Sequence, residues 1–177
     1  TPAASEAVIM ASIPERATIK RDEATLEVSY DGEPKFAGVE GEKGEAGVEY
    51  ALNSNFDIFK VGDLYYCCFQ AVWYVSSTAN GPWVVCDNVP GAIYEIPPEH
   101  PKHNVTYVYV YDSTPTTVYV GYTVGYTGCY FAYGVLVFGC GYWFGHYPYH
   151  RYCYHSCYFS YGCGAYYSYY HGGYYRA

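Results

Sequence analysis

The sequence predicts an all-β fold of short antiparallel strands and hairpins, arranged as a sandwich or a barrel. Three observations lead there. Short stretches alternate apolar or aromatic residues with polar ones, the pattern of a half-buried strand. Pairs of Gly, Pro, Asn and Asp separate those stretches where hairpins need turns. No apolar i, i+3, i+4 run follows any of the chance helix-capping motifs.

Residues 1–24 read as an extended arm, because Pro14 interrupts the apolar stretch from Val8 to Ile19. Thr25–Tyr30 then alternates Leu26, Val28 and Tyr30 against Thr25, Glu27 and Ser29, and Asp31-Gly32 marks a turn. Glycines recur at every third position from Gly38 to Gly47, but without proline or a long array this reads as an acidic loop, not collagen. Strands are expected at Val48–Leu52, Phe56–Val61, Leu64–Phe69, Val72–Ser76 and Trp83–Cys86, with turns at Gly62-Asp63 and Asn80-Gly81-Pro82. Four prolines make Val89–Pro101 an extended connection. Asn104–Asp112 carries the clearest alternation, placing Tyr107, Tyr109 and Tyr111 on one face. It pairs as a hairpin with Thr117–Tyr122. The tetrapeptide Val-Gly-Tyr-Thr occurs twice, at Val120–Thr123 and Val124–Thr127, and Gly134–Phe138 is a further strand. The β domain is expected to span residues 25–141. A Tyr/His/Cys/Gly-rich tail fills residues 142–177, either mobile or an ordered tyrosine-stacked layer.

Chemistry divides the chain. All 17 acids lie in residues 1–112 against seven Lys/Arg, a balance of −10; the remainder holds two arginines, no acid and 18 of the 27 tyrosines. Such polarity favours head-to-tail attraction between copies, to be weakened by salt. The chain-wide net charge of −8 lacks the basic footprint of a nucleic-acid binder. No apolar run reaches the roughly 18 residues of a spanning helix. The tyrosines exceed what one small core holds, so many lie at surfaces, where large apolar patches mark contacts.

Eight cysteines (Cys67, Cys68, Cys86, Cys129, Cys140, Cys153, Cys157 and Cys163) form an even set, expected to pair as disulfides in a secreted, extracellular or cell-surface protein. Their connectivity stays open. On a strand, Cys67 and Cys68 point to opposite faces and so join different partners, one of them in another subunit. The leading Thr1 fits a mature secreted chain, or an arbitrary boundary.

No catalytic set emerges, and no cofactor is expected. The chain has no G-x-S-x-G elbow, no phosphate-binding glycine loop and no acid in its second part. His146, His150 and His155 near Cys153 and Cys157 are a weak metal alternative, since Pro148 breaks the helix that would align the first two. Asn104-Val105-Thr106 is a glycosylation sequon. Trp73, Trp83 and Trp143 are aromatic platforms for sugar or protein contact, with core packing the other reading for the first two.

The segment Tyr65-Tyr66, Val72–Ser76, Gly81–Val85, Val89-Pro90, Ile93-Tyr94, Ile96–Pro98, Asn104–Val108, Val110–Pro115, Val118–Thr123 and Gly125-Tyr126 resembles a block of large bacterial envelope or secreted proteins, some loosely called carbohydrate-binding. Tyr30–Pro34 and Tyr50–Asn53 belong to the same block, which covers roughly residues 26–140. The resemblance implies a bacterial envelope or secreted protein and admits a carbohydrate-binding module. Here the chain adds cysteines and the tyrosine tail. The expectation is therefore a non-enzymatic structural subunit whose partners are copies of itself, held by disulfides and stacked tyrosines in a filament, sheath or surface layer. Polysaccharide is the alternative partner.

Overall fold

In the computed structural model, the described residues are 15–39, 47–97 and 100–127, together with the backbone of five later strands. The fold is all-β and antiparallel. Nine strands make the body: β1 (Glu15–Lys20), β2 (Phe36–Gly38), β3 (Val48–Ala51), β4 (Asp57–Val61), β5 (Leu64–Phe69), β6 (Val72–Ser76), β7 (Val84–Val85), β8 (Val108–Ser113) and β9 (Thr117–Tyr122). Strands β2 to β7 follow each other as a six-stranded meander, and a three-stranded sheet runs β1-β9-β8. No described helix is long and apolar enough to cross a membrane.

Both faces of the meander are covered, so its central strands carry apolar residues at successive positions. On β4 to β6, Phe59, Tyr66, Cys68 and Trp73 enter one cluster with Val48 and Cys86, while Ile58, Cys67, Val72 and Tyr74 enter the other with Val85. Cys67 and Cys68 thus face opposite ways, as strand geometry requires. Ile93, Ile96 and Val105 from the long connection close the first cluster. Leu26, with the half-buried Val28 and Tyr30, closes the second. The three-stranded sheet contributes to both clusters, Val108 and Tyr122 to the first and Val118 and Val120 to the second.

Two segments do not take their predicted form. Ala24–Tyr30 has no ladder, although Leu26, Val28 and Tyr30 still turn inward. It is held by Tyr30 Oη donating to Ala79 O (2.8 Å) and Ser54 Oγ donating to Ser29 O (2.7 Å). The predicted strand from Asn104 begins only at Val108, because His103–Tyr107 forms a 3-10 turn. That turn buries Val105 and lets Thr106 Oγ1 donate to His103 O at 2.7 Å. The Val89–Pro101 connection contains one helical turn, Gly91–Tyr94, which seats Ile93 in the core.

The arm expectation needs a larger correction. Its last residues are β1, which lies antiparallel to β9 of the same chain, with Glu15 opposite Tyr122 and Lys20 opposite Thr117. The turn after Tyr30 meets the end of β3 through Asn53. Its amide donates to Asp31 O (2.7 Å) and Glu33 O (2.8 Å) and its Oδ1 accepts Lys35 N–H (2.9 Å).

Beyond the body, β10 (Cys129–Ala132) pairs with β11 (Val135–Phe138), and β12 (Tyr158–Ser160), β13 (Ala165–Ser168) and β14 (Gly173–Arg176) form a second three-stranded sheet. Its register aligns Phe159, Tyr167 and Tyr174 in one row and Ser160, Tyr166 and Tyr175 in the next.

Candidate functional site

The three-stranded sheet β1-β9-β8 buries one face and leaves the other to solvent, and the outward positions are where the exposed aromatics gather. Inward, Ala17 and Ile19 of β1 and Val118 and Val120 of β9 pack on the second cluster. Outward, Gly121 lies in register between Arg16 and Tyr109, and Tyr119 lies between Thr18 and Asp112. Gly121 has no side chain to block its row. The Arg16 guanidinium crosses toward β8 and sits 4.9 Å from the centroid of the Tyr111 ring, a cation–π distance. Tyr111 is 45 % exposed and Tyr119 is 40 % exposed.

A bulge between Val110 and Asp112 makes room for Tyr111 on an edge strand, where such irregularities concentrate. Tyr109 and Tyr111 lie 6.2 Å apart, and on the far side Tyr94 stacks on Tyr109 at 5.9 Å with the planes 2° from parallel. Tyr94 Oη donates to Val108 O at 2.9 Å, and the Trp73 indole N–H donates to the same carbonyl at 3.1 Å. One β8 carbonyl therefore anchors both the core tryptophan and the end of the aromatic row. Burial pushes the Tyr94 and Tyr111 hydroxyls up from their ordinary values, so both are neutral donors at physiological pH.

Several sequence candidates lie elsewhere. Tyr107 does not share a face with Tyr109 and Tyr111. It belongs to the 3-10 turn, where its ring meets His103 edge-on at 5.4 Å and packs so close to Gly125 that a Cβ there would come within 2.5 Å. Trp73 is 0 % exposed and Trp83 is 7 % exposed, so neither presents a ring to a ligand. Asn104 is half-buried in the same turn as Tyr107, and its sequon hydroxyl on Thr106 is already committed to His103.

The disulfide expectation is corrected at two of the eight cysteines. Cys67 and Cys86 are free thiols buried in the core, and burial pushes both thiols up in pKa. Cys68 is also enclosed, at 3 % exposure. None of the three reaches another subunit without opening the core. Cys140, Cys153, Cys157, Cys163, Trp143, His146, His150 and His155 lie outside the described residues, as does the side chain of Cys129. Among the described residues no group of His, Cys, Asp and Glu could hold a metal ion.

Two features had no sequence signal. The hairpin loop between β5 and β6 is Gln70-Ala71 with φ of 51° and 57°, a left-handed pair that normally takes Asn-Gly. Ala71 is fully buried, and its N–H donates to Tyr126 Oη at 3.3 Å, which holds the turn. The second is Arg21, just past β1. Its guanidinium donates to Thr114 O (3.1 Å), to Val85 O (3.3 Å) and to the Asp87 carboxylate. This clasps the turn of the β8–β9 hairpin to β7, the edge of the meander, and holds the Asp87 carboxyl below the usual range.

No protein-family model, curated protein or solved structure matches this chain.

Proposed function

We propose that the protein is a secreted or cell-surface structural subunit that assembles with copies of itself into a filament, sheath or layer. The observation that carries this reading is the outer face of β1-β9-β8. Tyr94, Tyr109, Tyr111 and Tyr119 with Arg16 form an aromatic face beside an edge strand. Aromatic residues and arginine supply contact area at low entropic cost, which is why interfaces are enriched in them. The carboxylate-free, tyrosine-rich second part of the sequence supplies a matching chemistry. With Cys67, Cys68 and Cys86 enclosed, covalent reinforcement between copies falls to the five cysteines from Cys129 to Cys163.

Electron microscopy of the native protein, with and without reductant, tests the reading. Regular polymers are expected, loosening when tail bridges are reduced. Dispersed particles in both conditions at high concentration overturn it.

A carbohydrate-binding module is the second reading, favoured by the same row of tyrosines, since sugar rings can stack on exposed aromatic rings. Retention on an insoluble polysaccharide that vanishes in Tyr109→Ala and Tyr111→Ala, without any polymer, selects it.

A further inference from the structure

The joint between copies can be named, on the assumption that the chain self-assembles. We propose that β1 is an exchangeable strand: β1 of one copy leaves its own sheet and pairs with β9 of the next, which is left incomplete by the departure of its own β1. The partner is therefore a second copy of this chain, and the acceptor is the edge of β9 with the apolar floor beneath it.

The fit of donor to acceptor is the fit seen within one chain. Six register pairs join β1 to β9, from Glu15–Tyr122 to Lys20–Thr117. Ala17 and Ile19 cover Val118 and Val120, which are 0 % and 1 % exposed. Arg21 completes the unit: its N–H donates to Thr116 O at 3.0 Å, and its side chain reaches Thr114 O, Val85 O and Asp87. Every one of these partners belongs to β9, to the β8–β9 turn or to β7 and the residues just after it. Residues 15–21 therefore act as one plug, and these contacts are remade when the plug comes from a neighbour.

What an exchange gives up is confined to the turn after the plug. Glu23 N–H and Ala24 N–H donate to Lys20 O at 3.3 and 3.2 Å, and Lys20 pairs with Glu23 at 2.7 Å with side chains 62 % and 67 % exposed. An exposed pair of this kind contributes little, and the freed N–H groups regain water. Cis and trans arrangements are thus close in energy, and concentration decides between them. Residues 22–25, extended, give the plug a reach of roughly 14 Å from its own body. A one-way exchange that does not close gives an open filament, and a reciprocal one gives a dimer. Without its plug, β9 exposes an unpaired edge that is expected to capture another copy's strand.

A cross-linking experiment on full-length chains decides the matter. A heavy-isotope-labelled Lys20→Cys chain and an unlabelled Thr117→Cys chain are mixed dilute in reductant, concentrated, oxidised and digested. These positions face each other in the register, at the end of the outward row that runs through Thr18 and Tyr119. The proposal expects a disulfide between positions 20 and 117 that joins one heavy and one light chain. Its share should rise severalfold when deletion of Asp22 and Glu23 shortens the turn. If polymers form but the link appears only within a chain carrying both substitutions, β1 stays at home. The proposal then fails while the assembly reading stands. If no oligomer forms, both fail. Closed dimers with the heavy–light link support the exchange and overturn the filament.

Discussion

The two sheets of the body use the same residue types for opposite ends. In the meander, covered on both faces, aromatics such as Phe59, Tyr66, Trp73 and Tyr74 are packed in the clusters. In β1-β9-β8, covered on one face, inward positions hold Val108, Val118 and Val120 while Tyr111 and Tyr119 stand outward. A strand's alternation says that two faces differ, but not what covers each. The lesson is that a tyrosine's role here follows from whether the face it occupies is covered, since Tyr122 of β9 points inward and is buried. Arg21 joins the two regimes, with hydrogen bonds to both.

The largest effect is expected where the meander is closed. Trp73→Ala removes a fully buried ring and leaves Val108 O with one donor fewer, at a cost of about 3–5 kcal/mol; chemical denaturation measures it. His100 gives the meander a pH dependence. Burial first, then the charges of Lys102 and His103, lower its pKa to about 4, while its Nδ1 accepts Lys102 N–H at 3.1 Å and its ring meets Tyr50 at 4.5 Å. The unfolded chain binds the proton first, near the ordinary value of about 6.5. The stability that the neutral ring contributes is complete above that value and is lost as pH falls toward about 4. Denaturation curves across this window should show a falling stability with acid, and a His100→Phe chain should show a flatter profile.

At the joint between the sheets, Arg21→Ala should cost about 1–3 kcal/mol through its charge-assisted hydrogen bonds; an unchanged denaturation midpoint would show that the sheets do not depend on the clasp. The buried turn at Gln70-Ala71 offers a smaller test. Tyr126→Phe removes the acceptor of Ala71 N–H and should cost about 1 kcal/mol. The outer face comes last. Tyr111→Ala with Tyr119→Ala should leave monomer stability within about 0.5 kcal/mol per site, yet weaken self-association in sedimentation. A large loss of stability would erase the contrast between the two sheets.

Much of the meander was legible. Leu64–Phe69, Val72–Ser76 and Thr117–Tyr122 have the bounds their alternation predicts, and Gly62 and Gly81 take left-handed φ of 60° and 94° at predicted turns. At Gly81 a Cβ would lie 2.7 Å from Trp83 Cδ1, so the turn and the buried tryptophan need each other. The candidate site was half legible. Tyr109 and Tyr111 were picked out by alternation, but Tyr94, Tyr119 and Arg16 were not, because they come from three other segments that only folding assembles. β1 carried too weak a pattern of its own. Its Ala17 and Ile19 are inward because β9 offers them a floor.

By itself, then, the sequence determined the all-β class, most hairpin bounds, and the opposite facings of Cys67 and Cys68, since a strand's period of two is a local property of the backbone. Tertiary structure decided the rest, and the repeated tetrapeptide shows why. Val120–Thr123 ends β9 on an extended strand, with Gly121 and Tyr122 in its ladder, whereas Val124–Thr127 is one helical turn. In the second copy Tyr126 N–H donates to Thr123 O at 3.0 Å, Gly125 lies against the Tyr107 ring, and Tyr126 Oη meets the buried Ala71 turn. Identical residues take different backbones because their partners, 18 and 55 positions away, differ in what they offer.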